Sequence, residues 1–234
     1  MKEENTITAI VPFFNEEQTL DESVQRLISS GIFNQIILSD DSSSDKSAGI
    51  AKKLVTQNKN VEYICTQKNG GKGYALQNAQ TYINSTHVVI HDADLEYYPE
   101  DISEMAEVAK QYSKSLILGS RFLGVKKRDN IYLRTNLANK FLSAFFSIVN
   151  FYKITDVATC YKLMPSEFFK SIDIKEKGFS IEIEILSKFL RFNKDIKEVP
   201  IKYSGRSYEE GKKIKFSDGI FYLINTLKYR FSNF

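Results

Sequence analysis

The stretch Val88-Val89-Ile90-His91-Asp92-Ala93-Asp94-Leu95 runs from an unbroken apolar segment straight into two carboxylates one residue apart. The apolar part, rich in β-branched residues, reads as a strand buried on both faces. Two unpaired charges at the mouth of such a strand are costly. They acquire a use if a divalent cation sits beside them, and a hard cation of that kind commonly carries a phosphate. The other reading is a strand-end turn in which Asp92 caps the following helix. His91, next to the acidic pair, is expected to face the other side of its strand and pack there.

Moving outward from this stretch, strand and helix patterns alternate. Ile7 to Phe14 reads as a buried strand, and Glu16 to Ser30 as a helix with Leu20, Val24, Leu27 and Ile28 on one face. Gln35 to Ser39 is a second apolar run; it leads into the polar turn Asp40 to Asp45 and a helix through Ala51 and Leu54. Val61 to Cys65, Thr86 to His91 and Ser115 to Gly119 supply three more strands. A helix is expected from Tyr74, after the loop Gln67 to Gly73, and Pro99 suits a helix start. Strands alternating with helices predict an α/β fold with a mostly parallel sheet and helices on both faces. Ligands of such sheets bind at the carboxyl ends of the strands. Asn15-Glu16, Asp40-Asp41 and Asp92-Ala93-Asp94 all fall at those ends, which favours one shared site.

The second half is less regular. Tyr132 to Phe151 is expected to be helical, with Leu133, Leu137, Phe141, Phe145 and Ile148 or Val149 on one face. That aromatic face, with Phe146 and Phe151 added and Arg134 and Lys140 nearby, suits either a lipid interface or core packing beneath the sheet. In Gly178 to Phe192 the isoleucines alternate like a strand, yet Ile185, Phe189 and Phe192 suit a helix, which is preferred. Ile196 to Tyr203 reads as extended, followed by a basic loop from Ser204 to Lys215 and a last amphipathic helix from Ser217 to Phe231.

Composition narrows the classes. A chain of 234 residues with 42% apolar content can bury one substantial core. With no internal repeat or low-complexity linker, one domain over 1–234 is expected, its halves at 1–121 and 122–234. A net charge of +3 gives no sign of nucleic-acid binding. The excess is local: Ser187 to Phe234 holds eleven Lys/Arg against five Asp/Glu, a distribution that adds attraction to anionic lipid. Two cysteines, Cys65 and Cys160, suit a reducing compartment. The polar start (Lys2, Glu3, Glu4) shows no signal peptide, and no apolar stretch is long enough to span a bilayer. A cytoplasmic location is expected, peripheral on the cytoplasmic membrane face. Gly70-Gly71-Lys72-Gly73 lacks the full phosphate-loop spacing and reads as a glycine-rich turn opening a helix.

Taken in order, Val11-Pro12-Phe13-Phe14-Asn15-Glu16, Asp40-Asp41, Gly71-Lys72-Gly73, Asp92-Ala93-Asp94 and Gly119-Ser120-Arg121 resemble the motifs of family 2 glycosyltransferases. Thr155 to Lys162, Val199-Pro200-Ile201 and Gly205 to Lys213 are similar to the polyprenyl-phosphate branch typified by dolichol-phosphate mannose synthase. The resemblance implies a GT-A fold and transfer of one hexose, with inversion, from a nucleotide-sugar (GDP-mannose or a UDP-sugar) to a polyprenyl or dolichyl phosphate. The alternatives are a soluble or cell-surface glycan acceptor with the same donor chemistry, and a non-catalytic nucleotide-sugar-binding module.

Residue roles follow from the same resemblance. Pro12, Phe14 and Glu16 take the first nucleotide-binding positions, and Ser39 and Asp41 those near base and ribose. Ser42 stands where the family usually has Gly. Asp94 matches the principal ligand of Mg²⁺ or Mn²⁺, with Asp92 and Ala93 beside it and Glu96 as a further oxygen ligand. Arg121 matches an arginine facing phosphate or sugar, and Arg206 and Lys212 match two cations closing over the diphosphate, a task that suits a guanidinium fork and an ammonium. Arg134 resembles the arginine that holds the acceptor phosphate, and Asp156 lies in the motif near the acceptor.

Overall fold

The computed structural model describes residues 5–124, 126–129, 132–206 and 216–232. Its first half alternates strand and helix: β1 (Ile7–Phe13), α1 (Leu20–Ser30), β2 (Gln35–Asp40), α2 (Ser47–Gln57), β3 (Val61–Cys65), α3 (Lys72–Ala79), β4 (His87–Ile90), α4 (Asp101–Gln111) and β5 (Leu116–Ser120). The second half adds β6 (Arg128–Asp129), α5 (Leu133–Asn150), β7 (Lys162–Pro165), α6 (Ser166–Ser171), α7 (Ile181–Phe192), β8 (Ile196–Pro200), β9 (Tyr203–Ser204) and α8 (Phe216–Phe231).

Seven strands form one sheet in the order β3-β2-β1-β4-β7-β5-β8, and β6 pairs with β9 beside it. Every pairing in the large sheet is parallel except those of β7, which runs antiparallel to both β4 and β5. Residues of β1 alternate between the two faces. Ile7, Ala9, Val11 and Phe13 join a core with Leu20, Val24, Leu54 and Met105 from α1, α2 and α4. Ile10 faces the opposite core, with Leu76, Phe146, Phe168, Ile181 and Phe189 from α3, α5, α6 and α7. The sheet is therefore covered on both sides, which is why its inner strands β1, β2 and β4 are rich in buried apolar residues.

α7 resolves the ambiguous isoleucine stretch. It is a helix whose residues from Ile181 to Leu190 are all buried. Isoleucines alternate there because the helix is enclosed all round, so apolar residues are needed on every side. Its buried acids are paired: Glu184 meets Lys188 at 2.6 Å and accepts the backbone N–H groups of Lys175 and Glu176.

α5 turns the other way from a core helix. Ser143 and Phe146 are its buried residues, whereas Leu133, Leu137, Phe141, Ile148 and Phe151 are exposed. Phe146 therefore leaves the expected lipid-side set, because it packs against the sheet with Val157 and Phe168. α8 packs along α5 and exposes Ile220, Phe221, Ile224, Leu227 and Phe231. No helix among the described residues is long and apolar enough to cross a membrane.

Candidate active site

The strand order reverses at β1, which has β2 on one side and β4 on the other. Loops leaving the carboxyl ends there diverge and leave a crevice. A cavity of about 760 Å³ opens at that point and extends into the second half of the chain. Its wall includes Pro12, Phe14, Glu16 and Asp41 from the first strand-end loops, the Asp92-Ala93-Asp94 loop with Glu96, Arg121 and Arg206, and Arg134, Phe141 and Leu223 from α5 and α8.

The donor end is built from interlocked loops. Asn15 takes a left-handed φ of 53° and accepts the Ser44 N–H at 2.9 Å, while the Glu16 N–H donates to Ser47 Oγ at 2.9 Å. Asp45, two residues before α2, accepts the Ser47 N–H at 2.9 Å. Asp41 accepts the backbone N–H groups of Gly70 at 2.9 Å and Gly71 at 2.6 Å, so one carboxylate both lines the cavity and fixes the glycine turn. Ser42 keeps the tight turn at φ 61°, and its hydroxyl donates to the Thr66 carbonyl at 2.7 Å. Ser39 lies outside the cavity wall; it is fully buried and donates to the Ala75 carbonyl at 2.7 Å.

At the acidic loop, Leu95 adopts φ 64°, a left-handed conformation that costs a bulky residue about 1–3 kcal/mol. Asp94 and Glu96 flank it, and the Glu96 N–H donates to Asp94 Oδ1 at 3.2 Å. Burial, then the neighbouring Glu96 and Asp92 charges, push the Asp94 pKa up to about 7 against the opposing pull of Arg206. Arg206 reaches Asp94 Oδ2 at 3.0 Å. Its Nε is buried, lies 3.7 Å from Glu96 Oε1 and has no hydrogen-bond partner among the described residues. Glu96 also accepts the Tyr203 hydroxyl at 2.7 Å and the Arg206 N–H at 2.9 Å. Asp92 meets the Lys72 ammonium at 2.7 Å. Burial works against the Asp92 charge, but Lys72 prevails and its pKa lies below the ordinary carboxylate value.

Behind this loop, His91 is buried as expected. Its ring bonds Ser23 Oγ at 3.0 Å and the Tyr161 hydroxyl at 2.9 Å, and burial pushes its pKa down to about 4. In the second half, Asp156 is fully buried and outside the cavity wall. Its carboxylate accepts from the Arg121 backbone N–H at 3.0 Å, from Nε at 2.7 Å and from a terminal guanidinium nitrogen at 2.8 Å. The guanidinium carbon of Arg121 lies 4.9 Å from the Tyr203 ring centroid. Arg134 is exposed on the first turn of α5 and lines the cavity. Lys212 lies outside the described residues. Sequence reasoning placed Lys72 only in a glycine-rich turn and passed over Glu182. The two meet at 2.8 Å in the cavity wall across 110 positions, a separation no local pattern reports.

The residues of the acidic loop do not form a ready-made cage for a hard divalent cation. Among the described residues, no three His, Cys, Asp or Glu side chains converge on one point. Mg²⁺ and Mn²⁺ are commonly bound by one or two carboxylates with substrate phosphates and water completing the shell. Asp94 fits that pattern, since its crowded anionic surroundings favour an added cation.

A mostly parallel sheet with an acidic loop at its switch point is the arrangement expected of a GT-A glycosyltransferase. The chain belongs to glycosyl transferase family 2, whose model matches residues 8–173. It is 26% identical to a dolichol-phosphate mannosyltransferase from Pyrococcus furiosus over 210 residues, 88% of this chain and 58% of that one. The chain thus spans little more than half of that relative. It is 27% identical to a UDP-N-acetylglucosamine–dolichyl-phosphate N-acetylglucosaminyltransferase from Methanococcus voltae over 242 residues, 95% of this chain and 96% of that one. Glucosyl-3-phosphoglycerate synthase from Mycobacterium tuberculosis, solved with Mn²⁺ and UDP, shares the fold at a TM-score of 0.72 and 17% identity, covering 97% of this chain and 80% of its own.

Proposed function

We propose that this chain transfers one hexose, with inversion, from a nucleoside-diphosphate sugar to a polyprenyl phosphate at a membrane surface. The observation that carries the reading is the make-up of the cavity wall: carboxylates and cations from the strand-end loops, and Phe141, Leu142, Ile220 and Leu223 with Arg134 from α5 and α8. The same two helices carry exposed apolar residues, and Arg134, Lys140 and Lys228 are exposed cations on them. Apolar side chains bordered by cations match an anionic lipid surface. The named relatives from Pyrococcus and Methanococcus support a dolichyl-phosphate class of acceptor. They differ in the sugar, so donor identity is a matter for assay.

Pro12, Phe14, Glu16 and Asp41 hold the nucleotide, and Arg121, kept in place by Asp156, faces the phosphates or the sugar. Arg206, whose buried Nε has no hydrogen-bond partner among the described residues, takes the diphosphate together with Lys212. Asp94, with Asp92 beside it, would hold Mg²⁺ or Mn²⁺, which neutralises charge developing on the leaving diphosphate. An acceptor phosphate oxygen held by Arg134 attacks the anomeric carbon, and the bond to the diphosphate breaks. A phosphate monoester has a second pKa of roughly 6, so the attacking oxygen is already ionised near neutral pH. A hydroxyl acceptor would need a general base, and Asp156 is committed to Arg121 through both carboxylate oxygens.

The test offers radiolabelled UDP- and GDP-sugars with polyprenyl phosphate, the matching polyprenol and a soluble sugar, each with Mn²⁺, Mg²⁺ or EDTA. Label is expected in organic solvent only with the phosphate. Asp94→Asn is expected to lose the metal-dependent part of nucleoside-diphosphate affinity in titration calorimetry. Transfer to the soluble sugar alone, or equal affinity in EDTA, would overturn the reading.

A further inference from the structure

The wall of the cavity carries a row of alternating charges. Lys72 Nζ lies 2.7 Å from Asp92 Oδ1 and 2.8 Å from Glu182 Oε1. Glu182 Oε2 in turn pairs with the ammonium of Lys162, which also donates to the Thr159 carbonyl. Asp92, Lys72 and Glu182 line the cavity; Lys162 is fully buried behind them. A buried ammonium is tolerated only when paired, and Lys162 fixes Glu182 in place while Glu182 also lines the cavity.

Two pieces of backbone keep this row rigid. The Gly73 N–H donates to the Lys177 carbonyl at 3.0 Å. A Cβ on Gly73 would stand 1.7 Å from the Glu176 carbonyl oxygen, and one on Gly71 would stand 2.4 Å from that of Lys177. The turn that carries Lys72 is thus seated directly on the segment leading into α7, which carries Glu182. Such close seating is open only to glycine, and it ties the positions of both charged groups to the main chain.

The chemistry of the row selects what it can touch. A diphosphate is repelled by Glu182, and a lipid chain gains nothing from an ionised pair. A neutral polyol satisfies both partners, since a carboxylate accepts hydroxyl protons and an ammonium donates to hydroxyl oxygens. The bonds to Asp92 and Glu182 account for two of the three donors on Lys72. The row begins at Asp92, beside Asp94 in the acidic loop, and runs through Lys72 to Glu182 of α7 in the same cavity wall. We propose that Lys72 and Glu182 read hydroxyls of the transferred hexose and so set which nucleotide-sugar is used. This rests on the donor reading above and extends it to the sugar.

Titration calorimetry on the full chain with Mn²⁺ tests it, using UDP, GDP, UDP-glucose, UDP-N-acetylglucosamine and GDP-mannose. Lys162→Met/Glu182→Leu removes the buried pair together and leaves no orphaned ammonium. It is expected to weaken the preferred nucleotide-sugar by about tenfold or more while the matching free nucleoside diphosphate stays within about threefold. Glu182→Asp, which keeps a carboxylate for Lys162 and shortens its reach into the cavity, is expected to fold and to alter the ranking among the three sugars. If the double variant does not fold, the ranking in Glu182→Asp decides alone. An unchanged ranking, or equal losses for nucleotide-sugar and free nucleotide, would overturn the assignment and leave the donor reading standing. Absence of any nucleotide binding by the wild type would overturn both.

Discussion

Two glycines show how much a single position depends on its surroundings. Gly49 lies inside α2 with nothing within 4 Å of the place an added Cβ would take, whereas Gly73 is seated against the Glu176 backbone. The same change, to alanine, should therefore act with opposite sign. Gly49→Ala is expected to stabilise the fold by about 0.5–1 kcal/mol, the usual helical advantage of alanine. Gly73→Ala is expected to destabilise it by about 1–3 kcal/mol or more, because the clash is with backbone that cannot swing aside. Urea titrations of both variants read the two signs directly. A neutral Gly73→Ala would mean that the turn is not seated as described. Ser42 is the milder case: without the glycine expected there, the chain still takes a φ of 61° and recovers a hydrogen bond to Thr66. The acidic loop, Asp41 and Arg206 were all legible as candidate site residues from local motifs. The pairing of Lys72 with Glu182 was not, since each is ordinary in its own segment and only the fold joins them.

At the scale of elements, β1, β2, β4 and β5 were readable because their residues are buried on both faces, and β3, an edge strand, because Val61, Tyr63 and Ile64 mark it. β7 was not. It has four residues, begins with a lysine and ends with a proline, so neither period nor composition marks it as a strand. Lys162 is admitted to the sheet only because Glu182 of α7 meets it, a partner invisible in the local sequence. The orientation of α5 was left open by its pattern, since an aromatic stripe serves a core or a lipid surface equally well. Its exposure in the fold, with Leu137 58% and Phe141 60% exposed, now gives it a testable role. Leu137→Asp and Phe221→Asp, on α5 and α8, are expected to reduce co-sedimentation with phosphatidylglycerol vesicles severalfold and to change the melting temperature little, as each replaces an exposed side chain. Undiminished vesicle binding by the double variant would remove these faces from membrane contact.

For the molecule as a whole, acid is expected to weaken the fold partly through a buried histidine remote from the cavity. His87 is 3% exposed, and its ring bonds the Ser113 carbonyl at 3.0 Å and Thr86 Oγ1 at 3.0 Å. Burial holds its pKa below the ordinary 6.5, the Ser113 contact opposing only in part. The unfolded chain thus takes up a proton at pH values where the folded chain does not, and stability is lost as pH falls below about 6.5. The gap in melting temperature between wild type and His87→Gln should narrow between pH 8 and pH 5.5. A gap independent of pH would show that His87 titrates alike in both states.

The reversed strand at the centre of the sheet also governs the order in which the molecule can be completed. β4 and β5 are made early and are close in sequence, yet neither pairs with the other; β7 lies between them. Until Lys162 to Pro165 has left the ribosome, the inner edges of both strands have no partner, and such unpaired edges invite pairing with other chains. The first four strands can assemble as they emerge, but β5 and β8 join that sheet only through β7. A glycosyltransferase of this shape is thus closed late, from its middle, and the four residues least recognisable in the sequence are the ones that join its fourth and fifth strands.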